Sequence, residues 1–405
     1  MINDVFTKAD ILLPDGVSME DWSVIACDQF SSEREYWDNA RIRIGESPST
    51  LNMIIPEAYL GEIDEINEIN KISAAMESYT RRGLFRRIED SFVYVVRTLP
   101  DGRDRRGLVG AVDLEEYEFS GIKGSVLASE ETVRERLPAR VRIRQAACIE
   151  LPHIMAFIND IDMSVIEPLS KKADGFETLY DFNLMEGGGH IKGARVHGSA
   201  ADDIIMAMRG LHRKNDILMV IGDGNHSLAA AKVYWDGIKK NLSADERESH
   251  PARKALLEVN NVYDPSIDFE AIHRVVFDVD VNDFVGVLTE SMPSGDDYIL
   301  RWTARGNSGA IGVAAGCIGD MLTDLQTFLD EYIDRNGCGI DYIHGEEAAV
   351  RLAEREKSLG LILPPMDKSE LFKTVADRGV FPRKSFSVGH ARDKRYYLEC
   401  RRIND

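Results

Sequence analysis

Apolar residues along the chain keep two spacings, and each spacing predicts a different element. In IDEINEINKISAAMESYTRRGLF, Ile66, Ile69, Ile72, Met76 and Tyr79 recur at the three- and four-residue steps of a helix, and Gly83 is placed to end it. Ile204, Ile205, Met208 and Leu211 mark an amphipathic helix in ADDIIMAMRGLHRK in the same way. SSEREYWDNARI reads as a further helix, with Ser31 or Ser32 as cap and Glu35 in the first turn. Denser apolar runs read as strands: residues 11–13, WSVIACDQF, and residues 153–158 in ELPHIMAFIND. FVYVVRTL and RGLVGAVDLEEY flank PDGR, a strong turn signal, and predict an antiparallel hairpin, so a mixed sheet is expected.

The alternation restarts near Val275. RVVFDV, the helix VNDFVGVLTESM, the strands YILRW and AIGVAAG and the helix MLTDLQTFLDEYIDRN follow one another, then DYIHG, EEAAVRLAERE, LGLILPP and DKSELFKTVADRG. The fold class predicted is α/β with mixed α+β character. At 405 residues the chain exceeds the size at which one core usually stops growing, so two domains are expected. They are drawn as a main domain over residues 1–274 and a C-terminal α/β domain over residues 275–405, closed by a hairpin of KSFSV and YYLECRRI. No sequence repeat, low-complexity tract or long linker separates them.

The stretch MVIGDGNHSLAAAKVYW is where chemistry is best placed. A buried strand at residues 218–221 breaks at Gly222, Asp223 and Gly224, and helical spacing resumes over residues 227–238. The backbone amides at such a helix start, backed by the positive end of its dipole, form an anion site. The glycines allow close approach of a phosphate, Asn225 or Ser227 can cap the helix, and His226 can donate a hydrogen bond or move a proton. Asp223 repels phosphate unless a magnesium ion stands between them, which makes it the candidate metal ligand. The plain alternative is a glycine turn with an Asn or Ser cap.

Two further constellations carry charge. MEGGGHIKGARVHG sets Gly187, Gly188 and Gly189 before His190 and Lys192, a candidate lid or anion-contacting nest, or else a solvated loop. SEETVRERLPARVRIR puts Glu130 and Glu131 ahead of Arg134, Arg136, Arg140, Arg142 and Arg144. In an extended chain the last three share one face, a candidate wall for phosphate, and Glu130 or Glu131 beside it is a candidate base or metal ligand. The alternative is a solvated strand face. Arg383, Lys384 and Ser385 after Pro382 are taken as surface.

Composition narrows the partners. A net charge of −20 disfavours nucleic acid and anionic membrane. Five scattered cysteines give no zinc spacing and fit a reducing cytoplasm. No apolar run approaches the roughly 20 residues of a membrane span, and MINDVFTKADILLPDG is acidic where a secretory signal is basic, so a cytoplasmic location is expected. A homo-oligomer is compatible with all of this, and the sequence does not decide it.

Taken in order, IACDQF with Asp28, GIKGSVLASEETVRER with Glu131 and Thr132, ELPHIMAFIND, GDGNHSLAAAK, the segment ending in IHR, DYIHG and FPRKSF resemble the bacterial family called domain of unknown function 1015. DGNHSLAAAK also resembles the phosphate-holding loop of the ParB/sulfiredoxin nucleotide-binding superfamily, which includes free-serine kinases. That resemblance implies a ParB/sulfiredoxin-like nucleotide-binding core, ATP or ADP with Mg2+ as cofactors, and transfer of phosphate to a small hydroxyl-bearing metabolite such as serine. Carried over, Asp223, Gly224, His226 and the amides of Ser227 and Leu228 hold phosphates, and Glu131 is the base. The chain departs from the pattern where the loop arginine is Ser227, so Arg140, Arg142 or Lys192 is expected to supply the charge. A non-catalytic nucleotide or metabolite sensor that regulates a partner is the alternative. DNA binding by analogy with ParB fails on the acidic charge and on the lack of a basic recognition helix.

Overall fold

The structure is a computed structural model that describes residues 4–120, 123–132 and 137–404. Its contacts divide the chain into two units: Met1–Ala128, Thr132–Ile267 and His390–Asp405 form the first, Ser129–Glu131 and Asp268–Gly389 the second.

Among the described residues the first unit carries thirteen strands before residue 262: β1 (Phe6–Thr7), β2 (Ala9–Pro14), β3 (Val24–Ile25), β4 (Phe85–Thr98), β5 (Asp104–Asp113), β6 (Tyr117–Glu118), β7 (Val126–Ala128), β8 (Ile149–Glu150), β9 (Met155–Ile158), β10 (Glu177–Asn183), β11 (His190–Val196), β12 (Met219–Asp223) and β13 (Lys254–Asn261). Its helices are α1 (Met19–Trp22), α2 (Arg34–Ile44), α3 (Glu65–Arg81), α4 (Leu137–Ala146), α5 (Glu167–Ser170), α6 (Ser199–Lys214), α7 (Asn225–Ile238) and α8 (Ala244–Ser249). The main sheet runs β10-β11-β4-β5-β13-β9-β12-β7-β6, with β1 added on β5 and β2 on β4. It is mixed, because β12 is parallel to β7 and antiparallel to β9.

Strand alternation divides the core between the two faces of this sheet. On β4, Phe92 and Tyr94 join the cluster that contains Ile204 and Met208 of α6 and Leu228 and Trp235 of α7. Val93 and Val95 join the cluster that contains Tyr36, Trp37 and Ala40 of α2. A period of two therefore makes a central sheet with helices on both sides. The expected hairpin is β4–β5, paired antiparallel and closed by a turn in which Gly102 has φ +87° and Asp101 Oδ1 accepts from the amide of Arg103 at 2.9 Å.

The second unit contains β14 (Phe269–Phe277), β15 (Ser294–Ala304), β16 (Asn307–Val313), β17 (Gly339–His344), β18 (Ser358–Ile362) and β19 (Phe386–Val388), with α9 (Val281–Ser291), α10 (Ile318–Asn336), α11 (Glu346–Ala353) and α12 (Lys368–Arg378). Its sheet order is β16-β15-β18-β14-β17, with β19 also on β14, and every pairing is antiparallel.

Four expectations are corrected here. KSFSV and YYLECRRI do not form a closing hairpin: β19 pairs with β14, whereas β20 (Tyr396–Tyr397) pairs with β3 and β21 (Arg401–Arg402) with β8. The last residues belong to the first unit because Tyr396, Tyr397, Leu398 and Cys400 are buried in its core. At α2 neither serine caps, since the residue before the helix is Glu33, without a side-chain cap bond. Ile66 lies on the outer side of α3 and is exposed, while Ile69, Ile72, Met76 and Tyr79 are buried. Among the described residues no helix is long and apolar enough to cross a membrane.

Candidate functional site

β12 ends in a slip of its ladder with β9, between Ile221 and Asp223, and Gly222 is the residue at the slip. A Cβ there would overlap the ring of Phe157 on β9. Gly224 then adopts φ +77° and ψ 22°, the left-handed conformation that favours glycine, and α7 starts at Asn225. The expected strand, turn and helix are all present. The amides of Ser227 and Leu228 both donate to the carbonyl of Gly224, at 3.0 and 3.1 Å, and the amide of Gly224 donates to Asp223 Oδ1 at 2.9 Å. The resemblance had given the first two amides to phosphate; they are instead used to begin the helix. The positive end of the helix dipole lies at Asn225, which is buried, and His226, which is half-buried.

Asp223 meets a cation that the sequence reading did not single out. Oδ2 of Asp223 stands 3.4 Å from Nζ of Lys394, with the two side chains 13% and 10% exposed. Lys394 arrives on the C-terminal segment, which buried arginines fasten to the first unit. Arg97 donates to the carbonyls of Lys394 (2.5 Å), Arg392 (2.7 Å) and Gly188 (2.9 Å), and Arg105 donates to that of Asp393 (2.8 Å). Arg395 pairs with Glu258 at 2.8 Å and Glu399 at 2.6 Å, and Glu399 also accepts from the hydroxyl of Tyr180 at 2.5 Å. Burial, helped by the nearby Arg105 charge, lowers Arg97 to about 10.

Asp28 belongs to the same neighbourhood. Burial opposes its charge, but His153, the side chain of Gln29 and Lys394 outweigh burial and hold its carboxyl below the usual aspartate range. Gln29 Nε2 donates to its Oδ1 at 3.1 Å. His153 packs edge-on against Tyr397 at 5.2 Å, and the Tyr397 hydroxyl accepts from the amide of Cys27 at 3.4 Å. Burial, reinforced by Asp28, pushes the Cys27 thiol up to about 12, which makes it a poor nucleophile.

A cavity of about 200 Å³ opens here in the first unit. Ser227, His153, Cys27, Tyr397 and Arg140 line one part of it, and Met53, Ile54, Ile55, Met76, Leu151 and Ile403 give it an apolar wall. The arginines do not make the expected wall on an extended strand. They lie on α4, where a step of two residues turns about 200°, so Arg140 and Arg144 share a side and Arg142 faces away. Each has a carboxylate: Arg140 pairs with Glu57, Arg142 with Glu65, and Arg144 with Glu150 at 2.8 Å. Arg134 and Arg136 lie outside the described residues.

Lys192 is not brought to the loop by the sheet. It sits on β11, with β4, β5, β13 and β9 between it and β12, and its ammonium is 3.7 Å from Asp181, which His190 Nε2 also meets at 2.9 Å. The triple glycine is neither lid nor nest but the turn between β10 and β11, closed by the amide of Leu184 donating to Gly189 at 2.8 Å. Glu131 is exposed and belongs to the second unit, where its amide donates to Phe381 at 3.3 Å. Asp223 fits a divalent cation poorly: Lys394 is the cation beside it, and no group of three His, Cys, Asp or Glu suited to a metal ion occurs among the described residues.

The sequence matches the family described as protein of unknown function (DUF1015) over residues 12–365, and the chain belongs to that family. No curated protein matches it. Solved structures similar to it include a free serine kinase in complex with AMP, with 12% identity over 71% of this chain and 90% of that one at a TM-score of 0.39. A conserved hypothetical protein from Pyrococcus furiosus gives 13%, 69%, 89% and 0.35, and SbnI with a C-terminal truncation from Staphylococcus aureus gives 8%, 69%, 82% and 0.37. These TM-scores assign no roles to residues.

Proposed function

We propose that the first unit binds a nucleotide, ATP or ADP, and transfers its phosphate to a small hydroxyl-bearing metabolite, free serine being the acceptor suggested by the loop's resemblance. One observation carries the reading: the glycine turn at the head of α7 lies beside the buried cation Lys394, and Ser227 in its first turn lines a cavity with an apolar wall. A cation and a helix head suit phosphate, and an apolar wall suits a base. Phosphoryl transfer asks the protein for positioning and for a carboxylate to take the hydroxyl proton. In the first unit Asp28, kept ionised beside His153 and Lys394, is the carboxylate best suited to that task. A divalent ion that enters with the nucleotide neutralises phosphate charge, and its ligands are chiefly phosphate oxygens and water.

The test is calorimetry with ATP and ADP, followed by a turnover assay with serine and its hydroxyl analogues, with and without magnesium. Binding and turnover are expected. Binding without turnover on any acceptor favours the sensor, a reading supported by the pairing of Arg140, Arg142 and Arg144 with glutamates. Absence of binding removes both.

A further inference from the structure

We infer that Lys394 is the phosphate-binding cation of the loop at residues 223–227, contributed by a segment far away in sequence; the inference rests on reading the first unit as a nucleotide site. From Gly222 to Ala231 the chain holds no lysine or arginine. The next cation, Lys232, is 3.3 Å from Asp236 one turn along α7. The arginines of α4 each pair closely with a glutamate, and Lys192 pairs with Asp181 on the edge hairpin. Of these cations, Lys394 is the one whose ammonium meets a residue of the loop itself, Asp223.

Its ammonium is nine-tenths buried yet lies 3.4 Å from Asp223, beyond the roughly 2.7–2.9 Å of a charge-assisted hydrogen bond. Oδ2 of Asp223 is a buried oxygen that accepts no hydrogen bond. The pair is thus in contact without its strong bonds being made, so an anion stronger than a single carboxylate can take the ammonium at little cost. The backbone of Lys394 is meanwhile fixed through its carbonyl by Arg97 and through its neighbour's by Arg105. A cation held on a rigid segment loses little freedom on binding, which is what a preorganised phosphate site requires. The charge of Lys394 also helps to hold the Asp28 carboxyl low, so the proposed proton acceptor and the proposed phosphate cation act in one neighbourhood.

The experiment titrates adenosine, ADP and inorganic pyrophosphate into the parent protein, Lys394→Met and Lys394→Arg by calorimetry. Methionine keeps the stem and removes the charge. Lys394→Met is expected to lose about ten- to a hundredfold in affinity for ADP and pyrophosphate, to keep its affinity for adenosine, and to be rescued in large part by Lys394→Arg. Equal ADP affinity in Lys394→Met and parent overturns the inference while the nucleotide reading stands. Pyrophosphate binding that depends on Lys394, without ADP or adenosine binding, keeps the inference and removes the nucleotide. A parent that binds none of the three removes both. If Lys394→Met fails to fold, the double variant Asp223→Asn/Lys394→Met removes the stranded carboxylate as well and takes its place in the comparison.

Discussion

Arg97 Nη1 donates to the carbonyl of Lys394 at 2.5 Å, so a residue on β4 fixes the C-terminal segment at the position whose side chain meets Asp223. The same guanidinium holds Arg392 and Gly188, and it lies over the ring of Tyr396 at 4.9 Å. Arg97→Met strands three carbonyls, two of them in buried bonds, and is expected to cost about 3 kcal/mol in urea denaturation. Arg97→Lys rescues little, because one ammonium does not span the three acceptors. A loss below about 1 kcal/mol would show that other contacts hold the segment.

A second prediction concerns acid. Burial opposes the charge of Glu258, but Arg395 and Arg105 outweigh it and lower its carboxyl pKa. A carboxyl lowered in the folded state stabilises fully above its unfolded pKa, and that contribution disappears as pH falls through the lowered folded value. Glu258→Gln removes the charge and leaves Arg395 with Glu399. It is expected to destabilise by about 3 kcal/mol at neutral pH. The gap between parent and variant should narrow as denaturation is repeated at pH values that fall below the ordinary glutamate range and through the lowered folded value. A gap that stays constant with pH would assign the cost to packing.

Much of this fold is legible in the chain because burial imposes a period. The β4–β5 hairpin, β12 between its neighbours, α3, α6, α7 and the alternation after Val275 all follow from apolar spacing and from Gly or Pro punctuation. The C-terminal segment is not legible, since its partners are buried arginines and glutamates on distant strands, which leave no periodic trace. Lys394 was missed for that reason. Asp28 stood at the end of a recognisable block, but its role depends on His153 and Lys394, more than a hundred residues away. The helix at α4 was misread because alternating Arg and Val fits a strand face as well as a helix with arginines on two sides; the glutamates that pair with them, at positions 57, 65 and 150, decide it.

Glycine substitutions separate a turn that must be glycine from one that need not be. Gly224→Ala forces a Cβ to 2.9 Å from Ile154 at φ +77°, and is expected to destabilise by about 1–2 kcal/mol. Gly237, in the last turns of α7, has open space at its Cβ and no positive φ. Gly237→Ala is expected to stabilise by about 0.5–1 kcal/mol through helix propensity. The two thermal melts should move in opposite directions. A rise in both would mean that the turn at Gly224 relaxes easily, and with it the case for a shaped loop.

The proton acceptor is tested by separating affinity from turnover. Asp28 lies in the first unit beside His153 and Lys394, and its carboxyl is held ionised; Glu131 is exposed and ordered through its backbone against Phe381 in the second unit. Asp28→Asn removes a proton acceptor at nearly constant shape, so a phosphotransferase that uses it should keep ADP affinity within about threefold and lose about a hundredfold or more in kcat. Glu131→Gln should keep both. Because the charges of Asp28 and Lys394 act on one another, a merely electrostatic role for Asp28 would appear as altered ADP binding, with kcat at saturating nucleotide little changed. The two roles thus part in KM against kcat. Loss of turnover in Glu131→Gln with Asp28→Asn still active would transfer the proton to Glu131, the residue the sequence comparison first put forward.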